Sequence, residues 1–150
     1  MEVILAETQS FRLASLYEDV WFYDKTTGER HFAGDHYGDP EFGYISETHG
    51  WCLSGGEGVI LRDKVGRLWT AFRVQKRDHD ANPIRFENEA DALWIENAIR
   101  EANQPGYVSA INRTENGELE IQLDPLDGLA SQWRLNVSEI SLRKFQNTRP

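Results

Sequence analysis

His31, Asp35, His36, Asp39 and Glu41 place five potential metal ligands within eleven residues. A zinc site takes His or Cys at regular spacing, and adjacent residues such as Asp35 and His36 do not readily aim at one ion from a rigid element. The D-x-D-x-D-G framework of a calcium loop is missing. The segment therefore reads as a polar loop, with ligand or metal binding as its alternative. His49 and Cys52 suggest thiol chemistry, but positions three apart on a strand face opposite ways. No papain-like or caspase-like signature surrounds Cys52, which is expected to be a small buried side chain. A Ser nucleophile lacks its G-x-S-x-G setting. In Ser54-Gly55-Gly56-Glu57-Gly58, the Lys and Ser/Thr of a phosphate loop are absent, and Glu57 puts negative charge where a phosphate would sit. A tight turn or bulge entering a strand is expected there. No two carboxylates stand out as a glycosidase pair. Neither a catalytic residue nor a cofactor is expected.

The charge pattern carries more information. From His31 to Leu61 no Lys or Arg occurs. Asp35, Asp39, Glu41, Glu47 and Glu57 sit there among Phe32, Tyr37, Phe42, Tyr44 and Trp51, punctuated by glycine. A second stretch without bases, Glu115 to Asp127, could join it in one negative face. Between them Arg62, Lys64, Arg67, Arg73, Lys76 and Arg77 form a basic block with Trp69 and Phe72 interleaved. That pattern resembles a nucleic-acid face, but the net charge of −9 opposes the counterion release that drives such binding. The block is expected to pair internally with the acidic segments or to form a solvated hairpin. The same net charge repels anionic lipid and steers a cationic partner inward.

At 150 residues with five Trp, five Tyr and seven Phe, the chain can bury a core as one domain, 1–150, without disulfides. The single cysteine suits a reducing compartment. The N-terminus lacks the basic and apolar regions of a signal peptide, and no apolar run reaches membrane-spanning length. A cytoplasmic location is expected.

These residues must be positioned by an α+β fold, mainly antiparallel sheet with one principal helix. Residues 20–23 and 30–32 flank a turn ending at Gly28, and 59–62 and 68–74 flank a turn ending at Gly66. Residues 43–46 and 50–53 read as short strands. A helix is predicted over about 87–103, burying Ala90, Trp94, Ile95, Ala98, Ile99 and Ala102, with Asn88 as cap, Leu93 off the stripe and Pro105-Gly106 as stop. Residues 107–113 and 118–123 form a hairpin whose Asn116-Gly117 suits a type I′ turn. A final strand carries Trp133, Leu135 and Val137, then slips phase before Ile140 and Leu142, as at a bulge or break. Trp21, Trp94 and Trp133 are expected in the core.

A small, acidic, Trp-rich α+β chain without catalytic motif or export signal resembles the immunity proteins of bacterial polymorphic toxins. These are cytoplasmic antidotes to contact-dependent, Rhs-type or type VI effectors, and Gly50-Trp51-Cys52-Leu53-Ser54-Gly55-Gly56-Glu57-Gly58-Val59-Ile60 shares their character. The resemblance implies a non-enzymatic, stoichiometric inhibitor of a cognate basic toxin domain, often a nuclease. On that reading Asp39, Glu41, Tyr44, Glu47, Trp51 and Glu57 form the partner-binding surface. The alternative is a small enzyme or a ligand- or metal-binding domain built on the polar loop 31–41.

Overall fold

Short alternating segments pair into three sheets. The computed structural model describes residues 1–73, 77, 80, 82–102, 106–125 and 130–145. Val74, Lys76, Asn103, Pro105 and Asp127 lie outside the described residues, as do the side chains of Ala98, Ile99, Arg100 and Ala102. β1 (Glu2–Glu7), β2 (Phe11–Leu16), β3 (Asp19–Asp24) and β4 (Arg30–Asp35) make an antiparallel meander. β5 (Phe42–Ile45), β6 (Cys52–Gly56), β7 (Gly58–Arg62), β8 (Leu68–Ala71) and β9 (Asn82–Pro83) follow as a second sheet in sequence order. β10 (Arg85–Phe86) leads into helix α1 (Glu89–Ala102). β11 (Gly106–Arg113), β12 (Leu119–Pro125), β13 (Ser131–Asn136) and β14 (Ser141–Phe145) then complete a third sheet, of order β10-β14-β13-β12-β11. The fold is α+β, dominated by antiparallel pairing.

The β5–β9 sheet is the middle layer. Alternate residues of β6 serve opposite neighbours: Cys52 joins Leu13, Val20, Phe22, Ala33 and Ile45 in one core cluster. Leu53 joins Val59, Leu61, Val108, Leu119, Ile121 and Trp133 in the other. A strand covered on both faces has no need of polar alternation, which is why Val59-Ile60-Leu61 runs apolar without a break. Glycine is required where the third sheet comes closest: a Cβ on Gly55 would lie 3.0 Å from both Val108 Cγ1 and Ile111 Cδ1. The Gly-rich segment is therefore strand and turn, as its sequence suggests.

Several elements differ from expectation for local reasons. The helix begins at Glu89, where Asn88 Oδ1 accepts the Ala90 N–H at 3.0 Å, so Asn88 does cap it. Among its described side chains Ile95 is buried and Ala90 is exposed. Trp94 is 38 % exposed rather than core. Its ring touches the rim of the Trp133 cluster, with the Lys144 ammonium 3.9 Å from its centroid. Leu93 is exposed, as its position off the stripe requires. In the 114–118 turn only Gly117 has positive φ, so the connection is not type I′. A Thr114–Gly117 turn, closed by the Gly117 N–H on Thr114 O, ends on this left-handed Gly, the usual three-residue solution. The phase slip after Val137 marks a full reversal: Asn136 pairs with Ser141, so the final strand is two strands. Trp133 is fully buried, whereas Trp21 lies on the outer face of the first sheet.

Candidate functional site

The densest polar chemistry lies where the first two sheets meet. Gly58, at φ +72°, ends the tight β6–β7 turn and lets the chain of Ala71–Arg73 approach: a Cβ there would fall 2.6 Å from Ala71 O. Phe72 answers with a left-handed φ of 62°, rare for a bulky residue. The bend sends the Phe72 ring into the Trp133 cluster and turns Arg73 toward Glu57. Arg73 Nε donates to Glu57 Oε2 at 3.1 Å, Nη1 meets Asp80 Oδ2 at 3.1 Å, and Nη2 donates to Asp35 O at 2.9 Å. All three side chains are closed off from solvent, at 0 % exposure for Glu57 and Asp80 and 2 % for Arg73. Arg77 Nε lies 3.8 Å from Asp35 Oδ1 at the edge of this network. Arg73 and Arg77 are thus internal partners of the acidic segment, as the sequence leads one to expect.

His36 sits beside the network and is wholly buried. Its Nδ1 lies 3.2 Å from the Glu57 carbonyl oxygen, which only accepts, so Nδ1 carries the proton. Nε2 then accepts from the Ser54 hydroxyl at 2.8 Å. Burial lowers the His36 pKa to about 4, outweighing the Glu57 carbonyl bond that favours the proton. The pairing has the connectivity of a serine nucleophile and its base, but both side chains are enclosed, and the third partner is a carbonyl. Its chemical effect is to hold the 36–39 loop on the middle sheet. Cys52 is equally enclosed, and burial pushes its thiol up to about 12, far from a reactive thiolate. The polar loop 31–41 does not converge. His31 is half-buried on β4 beside Glu29, His36 points inward, and Asp39 and Glu41 are exposed. Among the described residues no group of three or more His, Cys, Asp or Glu is placed to hold a metal ion.

The six residues expected at a partner surface fall into three places. Tyr44, Glu47 and Trp51 line an open groove of about 1160 Å³ between the middle and third sheets. The Tyr44 and Trp51 rings meet there at 5.5 Å. Glu47 accepts the Ser10 N–H at 3.0 Å and the Thr8 hydroxyl at 2.8 Å, and these bonds hold its carboxyl below the usual range. Asp39 and Glu41 lie at the opposite end of β5, solvated. Glu57 is a correction: an acid committed to a buried arginine cannot meet a partner. The groove itself is not acidic. Glu47, Asp63 and Glu118 face Lys64, Arg67, Arg113 and Arg143 in it. Asp63 is pulled up by burial, yet held below its ordinary pKa by hydrogen bonds from Trp69, Arg67 and Val65.

The two acidic stretches do not merge. Glu118 pairs with Arg143 at 2.8 Å and Glu120 with Arg134 at 3.0 Å, so β13 and β14 neutralise these two acids of the second stretch. The first is answered at Asp35 and Glu57, by Arg77 and Arg73. Residues 1–61 hold eleven Asp and Glu against three Lys and Arg, a balance of −8, while 62–150 hold fourteen against thirteen, a balance of −1. All three cations of the first part are engaged: Arg12 and Lys25 each meet Glu7 at 2.8 Å, and Arg30 lies 4.1 Å from the Trp21 ring centre. Among the described residues Glu2, Glu18, Asp19, Asp24, Asp39, Glu41 and Glu47 have no Lys or Arg at ion-pair distance. This asymmetry follows from pairing across the sheets and is only half visible in the linear sequence.

No family model, no curated protein and no solved structure matches the chain. Among the described residues no helix is long and apolar enough to cross a membrane.

Proposed function

We propose that the protein is a cytoplasmic immunity protein that binds and neutralises a cognate basic toxin domain, a nuclease being the class whose cationic groove fits best, without catalysis of its own. The observation that carries this reading is the one-sided charge: a balance of −8 in residues 1–61, of whose acids Asp35 and Glu57 are answered from the rest of the chain, by Arg77 and Arg73. Such a surface accelerates encounter with a cationic partner and repels nucleic acid and anionic lipid. Exposed Asp39 and Glu41 belong to this half, and Tyr44, Glu47 and Trp51 border it along the groove. Glu57 is left out, because its charge is spent inside.

The test is co-expression with the C-terminal domain of any secreted toxin encoded beside this chain. Neutralisation at equal stoichiometry is expected, with affinity falling on the order of tenfold or more between low and high salt. Undiminished killing, the absence of any such neighbouring toxin, or an affinity indifferent to salt would overturn the reading.

A further inference from the structure

A sheet with one face in solvent ordinarily alternates apolar-in and polar-out. The outer face of the β1–β4 sheet breaks that rule. Ile4, Ala14, Trp21 and Phe32 are successive register partners, so they form one row across all four strands. Ala14 is closed within the row, but Ile4 and Phe32 keep 52 % and 38 % of their surface in solvent. The Trp21 and Phe32 rings meet edge-on, 5.6 Å between centroids. Further along the same face Glu2, Leu16 and Asp19 are partners, so carboxylates border the row and Leu16 extends it. The core of this sheet lies on its other side, where Leu13, Val20, Phe22 and Ala33 close on Ile45 and Cys52. The row is therefore not required for the core.

We propose that this outer face docks a cationic protein, with the Ile4–Trp21–Phe32 row as its apolar anchor and the surrounding carboxylates as its electrostatic complement. The inference rests on the immunity reading and assigns that function a surface. Charge complementarity chooses the occupant. Residues 1–35, which form this sheet, hold seven Asp and Glu against three Lys and Arg, so a second copy of this chain would bring the same balance of −4 against itself, and an acidic partner is repelled likewise. Aromatic anchors at the centre of an interface supply most of its affinity, while rim charges set the association rate. Arg30 keeps its charge on the Trp21 ring, and Arg12 and Lys25 share Glu7, so these three cations stand against seven carboxylates in residues 1–35.

The full chain and its Ile4→Lys/Phe32→Lys variant are titrated against the toxin domain by calorimetry. In a second arm, amide hydrogen exchange of the wild-type chain is mapped with and without a short peptide of alternating Lys and Leu. Expected are about 100-fold weaker toxin binding by the variant at unchanged melting temperature, and slowed exchange in β1 and β4 under the peptide. Unchanged affinity overturns the docking face while leaving the immunity reading in place. Should the variant not fold, or the wild type fail to neutralise any toxin, the exchange map decides the face alone. Slowing confined to residues 42–51, or found nowhere, overturns it. A concentration-dependent dimer abolished by the two lysines would make this a self-association surface and overturn the cationic occupant.

Discussion

The β1–β4 and β11–β14 sheets are two meanders laid on opposite faces of one middle sheet, yet they finish their outer surfaces differently. In β12–β14 the outward face carries paired charges, and its one aromatic, Phe145, lies under Arg134, 4.3 Å from the ring centre. Glu120, Arg134 and Arg143 align across the strands, with Glu120 on Arg134 and Glu118 on Arg143. The tryptophan of that sheet, Trp133, points inward and is fully buried. In β1–β4 the tryptophan points outward, Ile4 and Phe32 extend it into an apolar row, and the carboxylates outnumber cations that are already engaged. One sheet is closed by its own chain; the other keeps both apolar area and charge available. Stability explains the first arrangement. The second contributes little to the core, and it is the arrangement expected of a docking face.

Removing the arginine that ties the first sheet to the middle one should produce the largest effect. Arg73→Met removes the guanidinium that bridges the buried Glu57 and Asp80 carboxylates, at a cost on the order of 3–5 kcal/mol in urea unfolding. Adding Glu57→Gln to Arg73→Met should recover part of that loss, and no recovery would place the damage in packing instead. The two tryptophans test the comparison directly. Trp133→Ala should cost about 3–5 kcal/mol by leaving a cavity among Phe72, Phe86 and Leu135. Trp21→Ala, losing an edge contact and an arginine cap, should cost about 1 kcal/mol. Equal losses would mean that the outer row is structural and that the two sheets do not differ.

A subtler effect comes from pH. His36 has its folded pKa lowered to about 4 from the usual 6.5, chiefly by burial, so the unfolded chain takes up the proton first. Its contribution is fully present above about pH 6.5 and is lost as pH falls toward 4, by about 3 kcal/mol in all. Carboxylates held low, such as Glu7 by Lys25 and Arg12, add their own loss at more acid pH. Stability of wild type and His36→Gln, compared from pH 7 to 4.5, isolates the histidine. A variant with the same pH slope as wild type would show that His36 is not the group responsible.

Much of this architecture was legible before folding. Turn glycines at 28 and 66, the hairpin around Gly117 and the cap at Asn88 are local signals, read from the chemistry of a few adjacent residues. β1 and β2 were less visible, because Glu2–Glu7 has only a weak alternation and its edge position tolerates exposed Val3 and Ile4. On the helix Ile95 is buried as expected while Ala90 and Trp94 are exposed, since an amphipathic period reports which face is apolar but not how much of it the sheet covers. The candidate site was the least legible part. Neither the left-handed bend at Phe72, which brings Arg73 to Glu57, nor the seat of His36 between Ser54 and Glu57 has a spacing signature.

By itself, then, the sequence determined the α+β class, the turns, the run of acids without bases and the absence of familiar catalytic motifs. All of these depend on composition and on interactions within a few residues. Only the tertiary structure decided which acids remain open. Glu57 and Asp35 are answered by Arg73 and Arg77, and Glu118 and Glu120 by Arg143 and Arg134. Asp19, Asp39 and Glu41 find no such cation among the described residues. Register across strands set that outcome, and with it the outward row of Ile4, Trp21 and Phe32, because pairing between distant segments fixes both the face of a side chain and the charge opposite it.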